Sequence, residues 1–271
     1  MNRIYSKFIF QNNQLHYSVS GEGEKSLLIF HGYGHTHKNM REIEEALQGE
    51  YKIYNFDLFF HGFSEWRQND SPLTHEFWHS MLSEFLKVNQ IKTFSVMGFS
   101  LGGKLALATV QSFEKQIQNL YLIAPDGLTN NFWYNTATSK PFKKLFRSMV
   151  LAPKLFFKLI NVLERVRMLD KSTKRFALLQ MNSRDKRRRV YYSWMVYKGI
   201  KPDLGLISKA INVNAIHVEL YAGIYDRIIP VNAIQSFAKT IKNKKCHILN
   251  TGHNNLLDEV AYKFSTELEK R

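Results

Sequence analysis

Residues 93–110 read TFSVMGFSLGGKLALATV, an apolar run that stops at Gly98-Phe-Ser-Leu-Gly102-Gly103 and resumes at once with helical spacing. A serine with a glycine two positions to either side suits a loose loop. It equally suits a very tight turn, where two backbone segments pass closely because neither glycine carries a Cβ. The neighbouring segments have to separate these readings.

Outward from this stretch the chain alternates short β-type runs with helical periods, the pattern of a mostly parallel sheet covered by helices. SKFIF and LHYSVS read as an opening strand pair, and SLLIF as a buried strand ending at HGYGH. HKNMREIEEAL follows with helical spacing, then the strand YKIYNFD. THEFWHSMLSEFLKV puts Phe77, Met81, Leu82 and Phe85 on one helix face. After the quoted stretch come LYLIAP, IHVELYAG and CHILN as strands, and a closing amphipathic helix from NNLLDEV onward. Between residues 127 and 205 the alternation lapses. Pro141 opens a period with Phe142, Leu145, Phe146, Met149 and Val150 on one face. A second opens at Pro153, and RDKRRRVYYSWMVYK reads as a third helix. The expected organisation is an α/β core of residues 1–126 and 206–271, with an all-helical cap at 127–205.

Composition narrows the classes. The chain has 271 residues, 44% of them apolar and 14% aromatic, which is too much for a disordered protein. Cys246 is the single cysteine, so no intramolecular disulfide and no cysteine metal cluster can form. The N-terminus lacks a signal-peptide core, and no run of about 18 apolar residues occurs. The expectation is a cytoplasmic protein, with peripheral membrane attachment open. Net charge is +15. Residues 127–212 hold 19 Lys and Arg against 4 acids, while the remainder balances at 19 of each. That basic segment could meet an anionic lipid surface or an acidic acyl-carrier partner. RDKRRRV carries no accompanying nucleic-acid motif, and a solvated helix face is the simpler reading.

The strand, G-x-S-x-G and helix order gives the motif its meaning, because the turn lifts the Ser100 hydroxyl out of the fold at a helix N-terminus. A serine needs a base and an acid to orient it. Asp226 follows the strand IHVELYAG in IYDRIIP, and His253 follows CHILN in TGHNN. The order Ser, Asp, His, each in a loop after a strand, lets three loops meet at one sheet edge.

At this point the sequence resembles the α/β-hydrolase superfamily over nearly its full length. LLIFHGYG is similar to the family's oxyanion loop and GFSLGG to its nucleophile elbow. FDLFFHGFS looks like its Asp-x-x-x-His-Gly-x-Ser turn, with Phe59 and Phe60 in place of the usual Pro-Gly. The resemblance implies an α/β-hydrolase fold with about eight strands. It makes Ser100 the nucleophile, His253 the base and Asp226 its partner, with the Tyr33 and Leu101 N–H groups as oxyanion hole. Asp126 in APDG is the alternative acid. His31 is expected to order the oxyanion loop, His61 and Ser64 to hold the next turn, and Asp57 to anchor it. His35 and His37 have metal-ligand spacing but no continuation, and read as pocket-mouth or helix-start residues.

The implied chemistry is hydrolysis of a carboxylic ester or thioester with an apolar acyl group, needing neither cofactor nor metal. Carbon–carbon bond hydrolysis, haloperoxidase or acyltransferase chemistry, and a non-catalytic binding protein are the alternatives. Candidate substrate-binding residues are Phe99, Trp133, Tyr134, Phe146 and Trp194, although packing competes as an explanation for the aromatic residues of the cap.

Overall fold

The computed structural model describes residues 3–268 except 130–133, 135, 137, 152, 166–173, 176, 177 and 180. Trp133 therefore lies outside the described residues. The described chain forms two compact units: Met1–Arg67, Thr74–Thr129 and Ile200–Arg271 make the first, Gln68–Leu73 and Asn130–Gly199 the second.

The first unit is an eight-stranded sheet in the order β1-β2-β4-β3-β5-β6-β7-β8. The strands are β1 Ile4–Phe10, β2 Asn13–Ser20, β3 Lys25–Phe30, β4 Tyr51–Phe56, β5 Phe94–Phe99, β6 Ile117–Ile123, β7 His217–Gly223 and β8 Lys244–Leu249. β1, β2 and β4 pair antiparallel, and every pairing from β4 through β8 is parallel. A sheet buried on both faces needs unbroken apolar strands. β5 is buried at all six positions, and β3 and β4 at their last four.

From β3 the sheet grows one way to β4 and the other way to β5. Right-handed crossovers therefore put the connecting helices on opposite faces. Helix α1 (Arg41–Leu47) packs with the last helix, α9 (Leu256–Leu268), on one side. On the other lie α2 (His75–Val88), α3 (Leu101–Phe113) and α7 (Leu204–Val213), while α8 (Val231–Lys239) packs on β7 and β8. In α2 Trp78 is buried, and its Nε1 donates to Thr109 on α3 at 3.0 Å; Phe77 sits half-buried against Phe10 and Trp66. Phe85 takes Phe8, Tyr17, Tyr54 and Phe56 around it, with ring centroids 4.9–5.6 Å away.

The second unit contains α4 (Lys143–Leu151), α5 (Pro153–Arg165) and α6 (Arg184–Tyr197). Asp70 ties its short segment to these helices, accepting from the Tyr191 hydroxyl at 2.7 Å and pairing with Lys143 at 2.9 Å. The Leu73 N–H donates to Val196 O at 2.9 Å. Tyr134 and Phe146 both pack on Trp194, with ring centroids 5.4 and 5.5 Å away. In RDKRRRV, Arg184 and Arg188 face solvent, whereas the Arg187 guanidinium turns back to the carbonyls of Val150 and Met181. The run is thus mostly a solvated face with one structural arginine. Among the described residues no helix is long and apolar enough to cross a membrane.

Candidate active site

β3 and β5 are where the strand order reverses, and loops leaving the carboxyl ends of strands at such a point form a crevice. Phe30 pairs with Gly98, so the loop after β3 leaves the sheet beside the turn after β5. That turn is severe. Ser100 has φ 51° and ψ −117°, a left-handed conformation that costs a side chain energy and persists only when its surroundings enforce it. The enforcement is visible: Ser100 N–H donates to Ile123 O, and Ser100 O accepts from Gly103 and Asp126 N–H at 2.8 Å each. Glycines make the crossing possible. A Cβ on Gly98 would lie 2.4 Å from Gly102 O, and one on Gly102 would lie 2.0 Å from Phe30 O. Leu101 begins α3, so its N–H has no acceptor within the helix.

Asp226 and His253 arrive from the loops after β7 and β8, whose ends are in register at Gly223 and Leu249. His253 Nε2 lies 3.1 Å from Ser100 Oγ, and its Nδ1 lies 2.6 Å from Asp226 Oδ2. The other carboxylate oxygen accepts the N–H groups of Ile228 and Ile229 at 2.8 and 2.9 Å. With a carboxylate on one side, the imidazole proton belongs on Nδ1, which leaves the Nε2 lone pair facing the serine. Asp126 takes no such part: its Oδ1 accepts the N–H of its own neighbour Gly127 at 2.7 Å.

The loop carrying Tyr33 presses directly on this group. A Cβ on Gly32 would meet the Phe99 ring at 2.8 Å and Ser100 Cβ at 3.2 Å. Phe99 lies between two histidines, 5.0 Å from the His253 ring and 5.4 Å from a stacked His35. His35, expected at the pocket mouth or a helix start, thus stands beside Phe99; burial and the neighbouring His253 lower its pKa. Of the candidate substrate residues, Phe99 is the one beside Ser100, while Tyr134, Phe146 and Trp194 belong to the second unit.

Asp57 is an anchor, as expected, and a larger one. Its carboxylate accepts from His37 N–H and His37 Nδ1 at 2.8 and 2.9 Å, from His16 Nδ1 at 2.8 Å, and from Phe63 N–H at 3.2 Å. Ser64 closes the turn, donating to Asp57 O and accepting His16 N–H. Phe60, standing where the family resemblance has glycine, still adopts the left-handed φ of 69°. The donors around Asp57 outweigh its burial and hold its pKa well below the usual carboxylate range. A depressed folded pKa adds stability above the unfolded value of about 4, lost as pH falls toward the folded one. Asp57→Asn is thus expected to destabilise the fold by about 3 kcal/mol at neutral pH and by much less in acid. Urea titrations of both proteins at pH 7 and pH 2 check this, because the contribution is lost only as pH falls well below 4 toward the folded pKa; an equal loss at both would refute it.

A family model described as alpha/beta hydrolase fold matches residues 25–260. Among curated proteins, an uncharacterized protein of Mycobacterium tuberculosis (strain ATCC 25618 / H37Rv) is 25% identical over 115 residues, 42% of this chain and 33% of that protein. The aligned part thus spans only 33% of that relative's length. Among solved structures, the thioesterase domain from the curacin biosynthetic pathway is 17% identical, with 99% and 100% of the two chains covered and a TM-score of 0.67. A membrane phospholipase A, described as a bacterial virulence factor, is 19% identical over 99% of this chain and 86% of its own, with a TM-score of 0.64. At such identities the structures speak for the fold alone. The strand order, the elbow at Ser100 and the family match over residues 25–260 agree, and the chain belongs to the alpha/beta hydrolase fold family.

Proposed function

We propose that this hydrolase-fold protein is a serine hydrolase that cleaves a carboxylic ester or thioester bearing an apolar acyl group. The observation that carries the reading is the unbroken chain from Ser100 Oγ through His253 to Asp226, at 3.1 and 2.6 Å, with the serine held at a strained turn. Ser100 Oγ attacks the acyl carbonyl carbon while its proton passes to His253 Nε2. The negative oxygen of the tetrahedral adduct is met by the Tyr33 and Leu101 N–H groups. When the adduct collapses, the carbon–oxygen or carbon–sulfur bond breaks, and the leaving alcohol or thiol takes the proton from His253. Water then adds to the acyl-serine by the same route, releasing the acid and restoring the serine. A panel of p-nitrophenyl esters and acyl thioesters of increasing chain length tests the substrate class. Turnover that rises with acyl length supports the reading. A protein inert to the whole panel but active on a ring-fission product would move it to carbon–carbon bond hydrolysis.

The second unit favours a site of work at an anionic lipid surface. It carries 17 Lys and Arg against 4 acids, and exposed Phe142 and Leu145 stand beside exposed Lys144 and Arg147. Apolar and basic side chains together are what an interfacial helix presents, at roughly 1 kcal/mol per cation near such a surface. Co-sedimentation with phosphatidylglycerol vesicles should be strong at low salt, weak at high salt, and reduced by Lys144, Lys154, Lys158 and Arg184 to Glu. Absence of binding at low salt would reject the lipid surface; an acidic carrier would then be the partner to examine.

A further inference from the structure

Two buried histidines outside the triad join the loops that follow β3 and β4. His31 and His61 lie 0% and 1% exposed, edge to face with ring centroids 5.3 Å apart. His31 comes from the loop after β3, and its Nε2 accepts the N–H of Leu58 from the loop after β4 at 3.0 Å. His61 comes from the second loop, and its Nε2 accepts the N–H of Gly34 from the first at 2.9 Å. Each loop therefore lends the other a hydrogen-bond acceptor.

Accepting at Nε2 commits the proton to Nδ1 in a neutral ring. For His61 that proton points at Phe59 O, 3.0 Å away. For His31 it points at Gly32 O, 2.7 Å away, and Gly32 O also accepts the His35 N–H at 3.2 Å. The Gly32 carbonyl and the Tyr33 N–H belong to one planar trans peptide, so fixing the carbonyl fixes the N–H in the opposite direction. Gly34, at φ 80°, then has its own N–H held by His61. The two peptides that flank Tyr33 are thus each held by a histidine side chain. Burial and the neighbouring His61 keep the His31 pKa well below the ordinary imidazole range, consistent with the neutral ring that accepting requires.

We propose that His31 and His61 are positioning residues, a reciprocal pair in the Nδ1–H tautomer that aims the Tyr33 N–H at the developing oxyanion. This rests on the serine-hydrolase reading, and the tests separate the two. Long-range proton–nitrogen NMR of histidine-labelled wild-type protein should show both rings neutral and protonated at Nδ1; an Nε2–H tautomer at either overturns the pair without reference to activity. Kinetically, His61→Leu should retain KM within about twofold and lose about 10- to 100-fold in kcat, somewhat less than removal of an oxyanion donor itself. His61→Gln, whose side-chain oxygen can accept the Gly34 N–H, should recover most of that loss. A folded leucine variant at the wild-type rate, or a glutamine variant as slow as leucine, would refute the proposal. Should the leucine variant not fold, the tautomers of the wild type decide. A wild-type protein that takes no fluorophosphonate on Ser100 would instead remove the hydrolase reading, leaving the tautomer result to stand for the loop alone.

Discussion

Ser100→Ala should leave a folded protein with kcat reduced about a millionfold, the scale of loss when a triad nucleophile is deleted. The fold should survive because the serine side chain bonds only His253 among its described contacts, while the turn is held by backbone. Ser100 N–H and O keep their bonds to Ile123, Gly103 and Asp126 whatever stands on the Cβ. Alanine also bears the φ of 51° no worse than serine, since both carry a Cβ of the same kind. The thermal midpoint should therefore move by no more than a few degrees. A fluorophosphonate should add its mass to the wild-type protein at Ser100 and add nothing to the variant. A folded Ser100→Ala protein with wild-type turnover would end the serine-hydrolase reading, since Ser100 Oγ is the hydroxyl that His253 Nε2 meets among the described residues.

Local patterning made the sheet legible. Strands such as KSLLIF and FSVMGF are short, apolar and bounded by turn signals, and each such run is decided by its own residues. The elbow was legible for the same reason: its glycines, its serine and its helix lie within one stretch. Asp226 and His253 could be read as well, because a parallel sheet delivers every strand's carboxyl end to the same edge. What escaped was contact between side chains far apart in the chain. His16 reaches Asp57 across 41 residues, and nothing near either one announces it. The stack of His35 on Phe99 needs two loops from different strands to meet. In α2 the helical period placed Phe77 inward, yet Trp78 is the more buried, since a wide apolar face leaves its rotation to the elements it packs against. The aromatic residues at 134, 146 and 194 show the same limit. Spacing cannot tell a pocket wall from a cluster, and here Tyr134 and Phe146 both pack on Trp194.

The choice between the two acids gives the sharpest test of the site. Asp226→Asn should lower kcat about ten-thousandfold, the effect of reversing the histidine tautomer in a Ser-His-Asp group. The geometry explains why so small a change acts so strongly. Asparagine can keep its oxygen on the N–H groups of Ile228 and Ile229, which leaves its NH2 facing His253 Nδ1. A donor there forces Nδ1 to accept, and the ring proton moves to Nε2. Nε2 then points a proton at Ser100 Oγ and can no longer take one. The fold should be little changed, since the variant keeps the shape and all three hydrogen-bond partners, with only the bond to His253 reversed in direction. Asp126→Asn is expected to lose less than tenfold, because an amide oxygen accepts the Gly127 N–H as a carboxylate does. Both variants measured on one ester, with thermal melts beside them, settle the assignment. A large loss at residue 126 and a small one at residue 226 would transfer the acid to the loop after β6, and would require His253 to turn from the position it holds here.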